Sequence, residues 1–331
     1  MVNKNYLHIC YACDNHYVLP VGVSMVSVLD HLPPGSVCFW ILDAGISASN
    51  KKRFLRLTHK YAAKLHFCPV SNVLQQLAAL GVRKWLNNSL ATYARIFIAD
   101  LLPSSVQRVI YLDGDTIVNQ ELLSLWQMPM KNYALAAVVE AAHQRIKISR
   151  NIPQSGNYYN AGVLMINLPM YQKQHLKNKM LEHLRWVQAD YLYVDQDLIN
   201  ICCHQTIMRL PIKYNMTHPF LLWNRKQLQH IYHYSENFYS TQELLEAQQQ
   251  PAIIHFAGEF LGRPWEKNNI HPWAYLFDDY CQQSPWNNYQ QKVKKLAPII
   301  RVQRFLYQHL PHSIFVKINS WATFINSIKY Y

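Results

Sequence analysis

The sequence predicts an α/β fold: a mostly parallel, mixed sheet with helices on both faces. Three observations predict it. Short apolar runs at 7–12, 37–42 and 64–69 alternate with helical patterns at 19–32 and 46–60, a β-α-β-α-β order that builds parallel strands. Half of the 331 residues are apolar and only 15% are charged, which is enough to bury a core for one large domain or two smaller ones. Two later strands, 109–112 and 158–168, meet residues that carry chemistry: the first ends on Asp113-Gly114-Asp115 and the second opens on Asn160-Ala161-Gly162.

Each element has its own signal. The first strand ends at Cys13-Asp14-Asn15-His16-Tyr17, and the helix after it stops at Pro33-Pro34-Gly35. Ser47 or Ser49 serves as N-cap of the second helix. A helix at 87–102 carries Arg95 beside Tyr93, with Leu90, Ala94, Phe97 and Ile98 on its apolar face. A short helix at 119–127 precedes a strand at 133–140 that ends on Glu140. The polar, basic stretch 143–155 is weakly patterned and reads as a mobile loop or lid. An amphipathic helix follows at 169–189, and Asp195-Gln196-Asp197 opens a helix at 193–203. After a strand at 206–210, the last strand, 252–256, runs into His255-Phe256-Ala257-Gly258; Gly258 and Gly262 then flank a loop to Arg263-Pro264-Trp265.

Asp113 and Asp115, two residues apart at a strand end, aim carboxylates at one point, and Gly114 lets the chain bend between them. Mg²⁺ and Mn²⁺ take such oxygens together with substrate phosphates. In open α/β sheets, ligands sit beyond the carboxyl ends of strands. The alternative is a turn in which both side chains bond their own backbone. His255 is equally open: an imidazole completes a metal shell, or sits satisfied in the core. A glycine-flanked turn with a fixed arginine such as Arg263 suits phosphate oxygens.

The formal net charge is +13, which directs attention to nucleic acid, anionic membrane or anionic small molecules. No zinc spacing, RNP-like run or basic region followed by heptads is present, so nucleic acid is not the expected partner. The seven cysteines are scattered and odd in number, as free thiols in a reducing compartment would be. No signal peptide is recognisable, and no apolar run nears the roughly 18 residues of a membrane span. From 283 to 331 there are seven Lys or Arg and no acidic residue. Helical spacing there sets Ile299, Val302, Leu306 and Leu310 opposite Arg301, Arg304 and Gln308, which suits an interfacial helix drawn to anionic headgroups. The alternative is a helix packed back on the domain. The expected division is a catalytic domain at 1–282 and a basic amphipathic membrane-association segment at 283–331.

These motifs, in this order, resemble glycosyltransferase family 8: Ala12-x-Asp14-x-x-Tyr17, Thr92-Tyr93-Ala94-Arg95, Tyr111 to Asp115, Asn160-Ala161-Gly162, Asp195-Gln196-Asp197, His255 to Gly258, and Arg263-Pro264-Trp265. That family comprises retaining sugar-nucleotide transferases of the GT-A fold. Within it the chain is most similar to bacterial lipopolysaccharide and lipooligosaccharide galactosyl- and glucosyltransferases, notably through the run 41–47. The resemblance implies Mn²⁺, or Mg²⁺, on Asp113, Asp115 and His255, and a UDP-hexose donor. Ala12, Asp14 and Tyr17 would hold the uracil end, Gly258 and Arg263 the phosphates, with Gly114 between the metal carboxylates. Arg95, Asn160, Ala161, Gly162 and Asp195 would hold the sugar. Gln196 would lie under the anomeric carbon and Tyr193 near the acceptor. The catalytic set would be Gln196, Asp195 and Arg263, acting by front-side displacement; double displacement through Asp195 is the second route. The resemblance also implies a lipid-linked oligosaccharide acceptor; the free thiols, the absence of a recognisable signal peptide or span, and the basic tail give the expected place, cytoplasmic and peripheral on the inner membrane face.

Three departures stand out. Asn15-His16 replaces a frequent Asp-Asn, Glu140 stands where Asp is common, and a longer loop presents Arg263 where Lys is usual. The competing readings are a sugar-nucleotide nucleotidyltransferase, which lacks its early Gly-rich basic loop here, and a non-catalytic sugar- or lipid-binding protein.

Overall fold

The computed structural model describes residues 6–82, 90–153, 155–186, 194–233 and 238–328. Strands are β1 (Leu7–Cys13), β2 (Val37–Asp43), β3 (Lys64–Pro69), β4 (Arg108–Leu112), β5 (Thr116–Val118), β6 (Leu135–Val139), β7 (Tyr159–Asn167), β8 (Ile207–Arg209) and β9 (Ile253–His255). Seven form one sheet in the order β3-β2-β1-β4-β7-β6-β8. The β1–β2, β2–β3, β1–β4 and β6–β8 pairs are parallel, and β7 runs antiparallel to both β4 and β6. The mixed sheet of the GT-A fold is therefore present.

Burial follows the apolar runs. All seven residues of β2 are buried, as expected of a strand covered on both faces. The first helix, Val18–Asp30, is buried from Val18 to Leu29, because it lies against β5 on one side and against the helix Ala274–Gln283 on the other. The second, Ala48–Lys60, is half exposed and capped by Ser47, whose hydroxyl accepts from the Asn50 N–H. The stretch expected as one helix at 87–102 is a 3-10 segment, Leu90–Phe97, followed by one helical turn, Ile98–Leu101; residues 87–89 lie outside the described residues. The tight wind buries Arg95. The amphipathic stretch at 169–189 divides into Leu168–Lys173 and Leu176–Trp186, with His175 between them at φ 55°. The candidate lid holds a short helix, Gln144–Ser149.

Strands β5 and β9 make a second, two-stranded sheet. They pair antiparallel with Thr116 opposite His255, which sets a histidine beside Asp115 from 140 positions later in the chain.

The tail reverses one expectation. In its first helix, Pro298–His309, Arg304 faces inward and donates to the carbonyls of Phe260 (2.6 Å), Asn268 (2.6 Å) and Glu259 (3.0 Å). Ile299, Val302 and Phe305 are exposed, and so are Arg301 and Gln308. Three carbonyls on the loop around Gly262 need donors, and a guanidinium supplies them where an aliphatic side chain cannot. The second tail helix, His312–Ile328, buries Phe315 against Phe260 and donates from Ser320 to the His230 carbonyl.

Candidate active site

The carboxyl ends of β1 and β4, the start of β7, the helix Val194–Cys203 and the turn after β9 surround one cavity of about 820 Å³. Ala12, Asp14 and Tyr17 line one end of the wall formed after β1. Asp113, Gly114 and Asp115 follow β4. Asn160, Ala161 and Gly162 open β7, while Arg95, Asp195 and Gln196 close the far side. His255, Gly258 and Arg263 come from the β9 side. All of the residues singled out in the sequence for donor and metal binding thus face one space; Tyr193, expected near the acceptor, lies outside the described residues.

Asp113, Asp115 and His255 offer ligand atoms within 4.8 Å of one another. The His255 Nε2 is 3.3 Å from Asp115 Oδ1 and 3.9 Å from Asp113 Oδ2. Two carboxylates and one imidazole on a common centre fit a hard divalent cation, with phosphate oxygens or water completing the shell. Gly162 is required for this closeness: a Cβ there would lie 2.2 Å from His255 Cε1. Gly114 is equally confined, with Val21 Cγ2 at 2.6 Å from its would-be Cβ.

Two arginines balance the acids. Arg95 Nη2 donates to Asp113 at 2.8 Å, its Nη1 donates to the Ala161 carbonyl at 2.5 Å, and its Nε lies 2.8 Å from Asp195. The same guanidinium stacks over Tyr111 at 4.2 Å. Arg263 donates to Asp115 and to the Phe256 carbonyl. Burial alone would raise Asp115, but Arg263 and His255 outweigh it and hold that carboxyl below the usual carboxylate range. Burial pulls His255 down, and the two aspartates more than reverse it, so its pKa is raised. Burial pushes Asp195 up to about 6, against the pull of Arg95 and with help from Asp113.

A family model described as Glycosyl transferase family 8 matches residues 8–269. The chain belongs to that family. It is 28% identical over 294 residues to General stress protein A of Bacillus subtilis, covering 85% of this chain and 95% of the relative. It is 24% identical over 289 residues to a lipopolysaccharide 1,3-galactosyltransferase of Salmonella typhimurium (85% and 79% covered). A lipopolysaccharide 1,2-glucosyltransferase of Escherichia coli is 26% identical over 309 residues (92% and 85%). Among solved structures, the galactosyltransferase LgtC with donor and acceptor sugar analogs shares the fold, with a TM-score of 0.71 at 20% identity over 89% of this chain and 99% of that one.

In this family 8 glycosyltransferase, Gln196 Oε1 accepts from the Ala161 N–H at 2.9 Å, which ties the helix Val194–Cys203 to the first residues of β7. Asp197, one turn side away, is fully buried and accepts from Tyr158 Oη at 2.7 Å and Arg150 Nη2 at 3.2 Å. Arg150 follows the short helix of the candidate lid, so that segment is anchored beside Gln196. Asp14 Oδ1 accepts from the N–H groups of His16 and Tyr17 and shapes the turn after β1. Sequence reasoning missed Asn215. It is buried, with its Oδ1 2.9 Å from His255 Nδ1. Asn215 lies in 211–215, just after the expected strand at 206–210, and a lone asparagine there gave no signal.

Proposed function

We propose that this glycosyltransferase is a retaining, Mn²⁺-dependent hexosyltransferase. It takes galactose or glucose from a UDP-sugar and passes it to a lipid-borne oligosaccharide of the lipopolysaccharide or lipooligosaccharide type. The observation that carries this reading is the convergence of Asp113, Asp115 and His255 beside the Asn160–Gly162 and Asp195–Gln196 walls in one cavity. The sugar transferases of Salmonella and Escherichia support the acceptor class.

Asp113, Asp115 and His255 would hold the metal; when bound it supplies Lewis-acid charge to the departing diphosphate. Arg263 adds a second, fixed positive charge where that negative charge grows. Tyr17 and Asp14 grip the base. Arg95, Asp195 and the backbone of 160–162 orient the hexose. Gln196 lies along the same wall; an amide is a poor nucleophile, so it supports the oxocarbenium-like centre while the acceptor hydroxyl attacks from the leaving-group side. The acceptor proton passes to the leaving phosphate, and no strong base is needed.

The tail, 283–331, is proposed to seat the enzyme on the inner membrane face. Its helices expose apolar stripes, Ile299-Val302-Phe305 and Ile314-Ile318-Trp321-Ile325, among exposed Lys292, Lys295, Arg301 and Lys317. Among the described residues no helix is long and apolar enough to cross a membrane.

A donor screen tests the enzyme: purified protein, Mn²⁺, a panel of nucleotide sugars, and hydrolysis measured without acceptor. UDP-galactose or UDP-glucose should be turned over, and Asp113→Ala or Asp115→Ala should abolish turnover. Undiminished turnover in excess EDTA would overturn the metal role.

A further inference from the structure

A chain of buried amides runs from the metal-binding histidine to the sugar side of the cavity. Its polarity is set by one backbone group. The Gly162 N–H lies 2.8 Å from the side-chain atom of Asn160 that it faces, so that atom is the oxygen. Asn215 presents an atom to the same oxygen at 2.7 Å, which must be its NH₂ group. The other end of the Asn215 amide is then its oxygen, and it sits 2.9 Å from His255 Nδ1. His255 therefore carries a proton on Nδ1, and its Nε2 is the atom turned to Asp113 and Asp115. At the far end, the Asn160 NH₂ donates to Glu140 Oε2, while Glu140 Oε1 accepts from the Ala141 N–H at 2.8 Å. Every donor points the same way, from the imidazole to a carboxylate on the cavity wall.

We infer that Asn215 is a positioning residue for both halves of the site: it holds the His255 ring with Nε2 toward the metal centre, and it holds Asn160 with its NH₂ toward Glu140. Asn215 is placed to do this by the main chain. It follows the 3-10 turn Ile212–Tyr214, and the next residue, Met216, pairs with β9: its N–H donates to Ile253, and its carbonyl accepts from the His255 N–H at 3.0 Å. The amide and the imidazole are thus fixed to one another through both backbone and side chain. Asn215 is 1% exposed, so its two bonds have no competition from water. Partners of this kind behind a metal-binding histidine set its tautomer, and their loss costs about 10- to 100-fold in metal affinity.

The inference deepens the donor-site reading and rests on it, so the test separates the two. Mn²⁺ is titrated by electron paramagnetic resonance into the full-length protein in saturating UDP, and near-UV circular dichroism checks the metal-free fold. Asn215→Leu keeps the volume and removes both bonds; its Mn²⁺ affinity should fall about 10- to 100-fold. Asn215→Asp keeps an acceptor for His255 Nδ1–H but turns a second oxygen on Asn160; it should bind Mn²⁺ no more weakly than wild type while its hydrolysis of the UDP-hexose falls at least tenfold. Wild-type affinity in Asn215→Leu overturns the inference. If Asn215→Leu does not fold, Asn215→Asp carries the test, and wild-type hydrolysis in that variant overturns it. A wild-type protein that binds no Mn²⁺ in UDP overturns the donor-site reading and this inference with it.

Discussion

At the scale of single residues, the site is a set of charges packed to within a few ångströms of mutual contact. Gly162 shows the tolerance best. Gly162→Ala must push His255 aside, because the new methyl would lie 2.2 Å from Cε1 and 2.7 Å from Nδ1. Overpacking of this kind costs about 1–3 kcal/mol. The expected result is a lower melting temperature without metal and weaker Mn²⁺ binding; unchanged Mn²⁺ affinity would show that the ring has room to relax. Asp195 gives a pH signature. Its folded pKa is raised to about 6, above the unfolded value of about 4, so between these limits the native state binds the extra proton. The ionised group therefore subtracts stability as pH rises through that window. Asp115 has the opposite sign: its depressed pKa adds stability above about pH 4 that is lost in acid. Melting curves of the metal-free protein should show the difference between Asp195→Asn and wild type growing more favourable to the variant from about pH 4 to 6, then levelling. A difference that stays flat across that range would place the raised pKa elsewhere.

At the scale of elements, two pairings do most of the assembly. The β5–β9 pair brings His255 to Asp115, and it was not legible beforehand. Both strands are three residues long and lie 137 positions apart at their starts, since 253 minus 116 is 137. Periodicity shows that a strand exists but not which edge it takes. The helix Pro298–His309 gives the complementary lesson. Helical spacing puts Arg304 on the polar side with Arg301 and Gln308, opposite Ile299, Val302 and Leu306. The carbonyls of residues 259, 260 and 268 draw it inward. Arg304→Met keeps the stem but strands those carbonyls, at about 1.5–3 kcal/mol for bonds to a charged donor. Hydrogen exchange across 298–309 should accelerate in the variant while that of β1 to β4 holds; protection equal to wild type would show that the helix docks by its apolar contacts alone.

At the scale of the whole molecule, the two ends of the chain's charge serve different purposes. Acids are few, and three of those lining the cavity are paired with arginine: Asp113 and Asp195 with the buried Arg95, and Asp115 with Arg263. The excess positive charge lies elsewhere, much of it on the tail and on the exposed face of the helix Ala48–Lys60. Docked tail helices and outward apolar stripes are compatible, because Phe315, Val316 and Arg304 face in while Phe305 and Trp321 face out. The double variant Phe305→Glu, Trp321→Glu should lose flotation with anionic vesicles yet keep hydrolysis of the sugar nucleotide. Retained flotation would remove the tail from the membrane reading.

The sequence by itself determined the α/β class, the order along the chain of the strands of the main sheet, and the kinds of group at the ends of β1 and β4, the start of β7 and the end of β9; the three-residue β5 was not among the expected strands. Those properties follow from local patterning: apolar runs make strands, and a strand end that stops on Asp-Gly-Asp or opens on Asn-Ala-Gly announces itself. Only the tertiary structure decided that His255 meets Asp115, that Arg304 turns inward, and that Asn215 stands behind the histidine. Each of these depends on a partner more than thirty residues away, and hydrogen-bond satisfaction in a buried place is a property of the assembled neighbourhood, which no stretch of chain carries alone.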